Sequence, residues 1–179
     1  MVLNRSFFIR PALTVAQEVL GKYLVVNGKA GKIIETEAYI GPEDKASHAF
    51  AGKRTERNKA EYLIGGHVYI YLVYGMYWQL NISTGQKGYP ECFLIRAVAG
   101  KDDIKRTNGP GKLCQYFGLD KSFYGEDVAK SQRVWLEDRG ENCQIVAKSR
   151  VGIDYAGPYW AKRKLRFLIK DYQKYLAKI

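Results

Sequence analysis

Residues 67–83, HVYIYLVYGMYWQLNIS, restrict the fold more than any other part of the chain. Val68, Ile70 and Leu72 fall on one face of an extended segment, and Tyr69, Tyr71 and Val73 on the other. β-Branched and aromatic residues favour a pleated strand. The Tyr74-Gly75-Met76-Tyr77 turn then folds the segment into a hairpin. Both faces of its leading strand are apolar or aromatic, so the strand is either buried on both sides or lines an aromatic site. The tip is unusual as well. Hairpin tips are normally polar, yet this one carries Tyr74, Met76 and Tyr77. Tyr74 either packs into a core or, in a protein that binds nucleic acid, serves as a wedge between stacked bases.

A second hairpin is expected in YLVVNGKAGKIIETEAY, with Asn27-Gly28 as its turn. In its second strand strict alternation puts Ile33, Glu35 and Glu37 on one face and Ile34, Thr36 and Ala38 on the other. A short helix is expected over 14–20, from a Thr14…Gln17 capping box to a stop at Gly21. Residues 41–62 read as a long polar connection, and ECFLIRAVAG as a strand. Pro110 to Gly118 suits a helix with proline in its first turn and glycine past its end. Short strands follow at 143–148 and 165–169. No repeat, low-complexity tract or linker divides the sequence. The expectation is one α+β domain over residues 1–179: a curved, largely antiparallel sheet, short surrounding helices and a protruding β-hairpin.

Charge narrows the partners. Lys and Arg number 29 against 18 Asp and Glu, a net +11. Such a surface attracts polyanions, nucleic acid foremost, with an acidic lipid surface as the alternative. No apolar run reaches the roughly 20 residues of a membrane helix, and no signal peptide is expected. Cys92, Cys114 and Cys143 are widely spaced and odd in number, which suits a reducing compartment and gives no metal-binding spacing.

Against that basic background the acids stand out. Glu35, Glu37, Glu43 and Asp44 suggest two mechanisms: a Mg²⁺-dependent nuclease, or one glutamate acting as general base on a water beside an aromatic wall. For Glu43 and Asp44 the plainer reading is a solvated loop acid. Arg96, inside the apolar run CFLIRAVAG, needs an anion if buried, and Glu37 is a natural partner.

The blocks ETEAYIGPEDKASHAF, YIYLVYGMYWQLNIS, FLIRA, NGPGKLCQ, KSF and RVGIDYAGPYWAKRKLRF occur in one order from about residue 6 to residue 169. Together they closely resemble the alkyladenine (3-methyladenine) DNA glycosylase family. The resemblance implies a monofunctional enzyme of base excision repair. It would flip alkylated or deaminated purines out of duplex DNA and hydrolyse the N-glycosidic bond, without lyase activity, metal or cofactor. It implies Glu37 as general base, Arg96 as a holder of the water, and the backbone carbonyl of Val151 as a third water contact. Tyr39, His48 and Tyr71 would sandwich and hydrogen-bond the flipped base, and Asn81 would crowd a guanine 2-amino group. Tyr74 would fill the vacated stack. The partner would be double-stranded DNA containing damaged purines, bound by a monomer, in the nucleoid or cytoplasm of a prokaryote or the nucleus of a eukaryote. Two stretches depart from the pattern. Trp78 and Gln79 follow YGMY at a variable position, and the long segment 83–92 bears on the pocket rim. The competing reading is a non-catalytic domain whose Tyr71, Tyr74 and Tyr77 merely stack on bases.

Overall fold

The computed structural model of the chain describes residues 1–100 and 104–176. Helices α1 (Arg5–Phe8) and α2 (Ala12–Glu18) precede the first hairpin, β1 (Tyr23–Val26) and β2 (Lys29–Tyr39). The second hairpin, β3 (Val68–Val73) and β4 (Tyr77–Ser83), is followed by β5 (Cys92–Ala99) and α3 (Pro110–Phe117). Strands β6 (Val134–Glu137) and β7 (Ile145–Lys148), helix α4 (Pro158–Lys162) and strand β8 (Arg166–Ile169) complete the order. The strands form one open antiparallel sheet in the order β3-β4-β5-β2-β1-β6, with β8 on β2 and β7 on β8. The α+β expectation holds.

β2 organises the sheet. Its Lys29–Lys32 half pairs with β1, its Glu35–Glu37 half pairs with β8, and the opposite edge carries β5. The ladder to β5 shifts register between Ile33 and Glu35 and again between Glu35 and Thr36. Strict alternation therefore fails at this point. Ile33 lies in the same apolar core as Ile34 and Ala38, not on the face of Glu35 and Glu37 as alternation predicts. A bulge re-aims the residues that follow it, so the acids beyond it face away from the core.

One face of the sheet buries Val68, Ile70, Leu80, Ile82, Phe93 and Ile95 beneath α2 and α3. α2 begins at Ala12, earlier than the capping-box reading. Pro11 is its cap, and the Ala12 amide donates to Glu91 Oε2 at 3.0 Å. Proline is already shaped for a helix start, so Thr14 is not needed as a cap. α3 follows the expectation. Pro110 opens it, and Gly118, left-handed at φ 69°, closes it as the Leu119 amide donates to Cys114 O at 2.8 Å. Gly31 is needed for close packing, because a Cβ there would stand 2.8 Å from Val98 Cγ2.

Candidate active site

The opposite face of the sheet gathers the polar residues. Cross-strand register sets Tyr69 opposite Asn81, Asn81 opposite Leu94, Leu94 opposite Glu37, and Glu37 opposite Arg166. Neighbouring strands lie roughly 4.8 Å apart, so these sequence-distant residues form one row. Glu37 is 0% exposed. Its Oε1 accepts the Val151 amide at 2.8 Å and lies 3.4 Å from Arg96 Nη1, and its Oε2 accepts the Tyr39 hydroxyl at 3.0 Å. Arg96 also donates through Nε to Glu35 Oε1 at 3.2 Å, and Arg166 Nη1 reaches the same oxygen at 2.8 Å. Two acids and two guanidiniums thus alternate across β2, β5 and β8. Buried charges are tolerated only when paired and hydrogen-bonded, and here all four are.

Beside Glu37, Tyr39 opens onto a pocket with a cavity volume of about 40 Å³, lined also by Ala46, His48, Glu61, Tyr69, Tyr71, Asn81, Cys92 and Tyr155. Glu37 itself is not in the lining; the Tyr39 hydroxyl links it to the pocket. His48 Nδ1 is 2.6 Å from the Tyr69 hydroxyl, and its ring meets Tyr71 edge-on at 4.7 Å. Although His48 as a residue is exposed, its ring is partly desolvated against Tyr69 and Tyr71, and this, aided by Arg57 and Lys53, lowers its pKa to about 4. The imidazole is therefore neutral at neutral pH, with its other ring nitrogen free of Tyr69. Burial raises the Tyr39, Tyr69 and Tyr71 hydroxyls, so each stays protonated. Asn81 is buried within β4, and its Nδ2 donates weakly to Gln79 O at 3.3 Å.

Tyr74 stands apart from these residues. It occupies the hairpin tip with φ 52° and is 86% exposed, beside exposed Met76 and Tyr77. The core reading of Tyr74 is thereby excluded.

Of the loop acids Glu43 is exposed, as the plainer reading has it, whereas Asp44 is not. Asp44 is buried and bidentate to Arg150, Nη1 to Oδ2 at 2.5 Å and Nη2 to Oδ1 at 2.8 Å, while Arg150 stacks 4.8 Å from the Tyr39 ring centroid. Glu43 accepts the Tyr89 hydroxyl at 3.1 Å. Every acid invoked for a metal is held by an arginine, a tyrosine or backbone amides, and among the described residues no three potential ligands converge. The nuclease arrangement is not formed. Sequence reasoning missed Glu61, Tyr155 and the Arg150–Asp44 pair. Glu61 carried a usable signal, an acid inside the otherwise apolar A-E-Y-L-I; Arg150 carried none, because its partner lies 106 residues away.

A charge-balanced buried glutamate beside an aromatic pocket, with an exposed aromatic hairpin tip elsewhere on a basic protein, suits a DNA glycosylase, which removes bases from DNA. The comparisons agree. The profile of methylpurine-DNA glycosylases matches residues 6–173. A Bdellovibrio bacteriovorus protein whose assigned name is 3-methyladenine DNA glycosylase is 44% identical, over 96% of this chain and 97% of its own. A Clostridium novyi protein of the same assigned name is 43% identical over 98% of both chains. The DNA-3-methyladenine glycosylase of Mus musculus is 37% identical over 94% of this chain and 59% of its own length. The chain belongs to the methylpurine-DNA glycosylase family, and it is an enzyme of DNA repair. No described helix is long and apolar enough to cross a membrane.

Proposed function

We propose that the enzyme flips alkylated or deaminated purines (3-methyladenine, 7-methylguanine, hypoxanthine or ethenoadenine) into the aromatic pocket. It then hydrolyses the N-glycosidic bond with a water activated by Glu37. The observation that carries this reading is the coupling of Glu37 to the pocket through Tyr39, whose hydroxyl donates to the carboxylate at 3.0 Å. Glycosidic cleavage develops positive charge on the sugar. A fixed carboxylate stabilises that cation and takes the proton of the attacking water. Arg96 orients Glu37, and the Val151 amide fixes one of its oxygens. The neighbouring Val151 carbonyl is proposed as a further holder of the water. Tyr39, His48 and Tyr71 receive the base, Asn81 crowds a guanine 2-amino group, and Tyr74 fills the stack the base leaves. Flipping costs a few kcal/mol, least for damaged or mispaired bases. The enzyme acts as a monomer.

Glu37→Gln tests the assignment, because it keeps the shape and removes the base. DNA binding survives, while single-turnover base release falls by about 10²–10⁴. Near-normal release from that variant would move the general base elsewhere, with Glu35 the next acid in line.

A further inference from the structure

The pocket holds an acid for which the hydrolysis above has no use. Glu61, in the short 3₁₀ turn Lys59–Tyr62, is 2% exposed and lines the pocket with Tyr39, His48, Tyr71 and Asn81. Its Oε1 accepts the Cys92 thiol at 3.3 Å. Its Oε2 is buried and, among the described residues, has no hydrogen-bond partner. No ion pair of the described residues includes it, in contrast to Glu35, Glu37 and Asp44. A buried carboxyl oxygen left unmatched in the free protein costs stability. Such a group is explained if its partner arrives with the ligand.

We propose that Glu61 is a specificity-determining residue of the base pocket, favouring a positively charged N-alkylated purine over a neutral deaminated one. The proposal rests on the purine-excising reading above. Alkylation of a purine ring nitrogen, as in 3-methyladenine within DNA, leaves a positive charge spread over the ring; hypoxanthine carries none. Stacking on Tyr39 and Tyr71 holds any flat base and gains somewhat more from a cation. A carboxylate in the same water-poor pocket adds Coulombic attraction that only the cation feels. His48 does not oppose it, being neutral.

The discrimination depends on Glu61 being ionised, which ties it to pH. Burial pushes its carboxyl up to about 7, with Cys92 and Asn58 pulling the other way. The titratable groups around it do not change state near that pH. Burial holds the thiol of Cys92, from β5, well above its ordinary value, and raises the hydroxyls of Tyr69 and Tyr71 from β3, Tyr39 from β2, Tyr62 beside it, and Tyr124 and Tyr155. His48 titrates far below, and the nearby Arg57 guanidinium is stacked 5.1 Å from the Tyr71 ring centroid.

The test measures kcat/KM for release of 3-methyladenine and of hypoxanthine from otherwise identical duplexes, from about pH 6 to pH 8.5, in the unaltered enzyme and in Glu61→Gln. Glutamine keeps the size and the hydrogen-bonding capacity but cannot ionise. In the unaltered enzyme the ratio of the two constants rises as pH passes through about 7. In Glu61→Gln the ratio is about tenfold lower at pH 8 and flat with pH, the scale expected for one screened charge. The ratio cancels anything that slows both reactions alike, including the state of Glu37 and partial misfolding. A pH-independent ratio in the unaltered enzyme, or a glutamine variant that follows it, overturns the proposal. If Glu61→Gln does not fold, the pH series on the unaltered enzyme decides alone. Failure of the unaltered enzyme to release either base would instead count against the glycosidic reading.

Discussion

At the scale of single residues, the site is governed by how each buried charge is answered. Asp44 and Arg150 answer one another, both side chains being fully buried. Removing one partner leaves the other charge uncompensated, which costs about 3–5 kcal/mol. Asp44→Asn therefore lowers the unfolding free energy by that amount in a denaturant titration; a loss under 1 kcal/mol would show that water replaces the carboxylate. Glu61 presents the reverse case. Its folded-state carboxyl, at about 7, lies above the ordinary 4.5, so the folded protein holds this proton more tightly than the unfolded chain. Below pH 4.5 both states are protonated and nothing is lost. As pH rises from there to about 7, ionisation favours the unfolded chain, by up to about 3 kcal/mol. Glu61→Gln accordingly gains melting temperature over the unaltered enzyme at pH 8 and little or none at pH 4. An equal difference at both pH values would mean that the Glu61 carboxyl ionises alike in the folded and unfolded chains.

Among the elements, the β3–β4 hairpin passes from buried to exposed side chains within a few residues. Its base buries Val68 and Ile70 in the core, while its tip holds Tyr74 in solvent on a left-handed backbone. A core tyrosine truncated to serine costs a few kcal/mol, but an exposed one costs little. Tyr74→Ser should leave the melting temperature unchanged while weakening damage-specific binding and slowing excision. The loss should be larger for a well-paired lesion than for a mispaired one, where less unstacking must be offset. Unaltered excision and damage-specific binding in this variant would remove the wedge role from Tyr74. β2 teaches a different lesson. Its hairpin turn, its length and the side occupied by Glu35 and Glu37 were legible from Asn27-Gly28 and the alternating pattern. The place of Ile33 was not, because a bulge depends on which strand lies alongside, and β5 is more than 50 residues away.

For the whole molecule, a basic exterior encloses an interior where Glu35, Glu37 and Asp44 are matched by arginines and Glu61 is not. The net charge of +11 governs encounter with DNA rather than chemistry. Binding to undamaged duplex should weaken steeply between about 50 and 200 mM salt. A flat salt response in a fluorescence-anisotropy titration would mean that phosphate contacts are not its main source of affinity. The sequence by itself determined the antiparallel α+β fold, both hairpins, the Pro110–Gly118 helix and the family. All of these rest on local periodicity, turn residues or ordered motifs, which are written in consecutive positions. It also made Glu37 and Arg96 natural partners, since each was a charge in an apolar strand. Only the tertiary structure decided that Glu35 shares Arg96 with Glu37 and draws in Arg166, that Asp44 is buried against Arg150, and that Glu61 faces the pocket with an unanswered oxygen. A buried charge is defined by what surrounds it in space. For these residues the surroundings come from strands and loops distant in the chain, brought together by sheet register that no local pattern encodes.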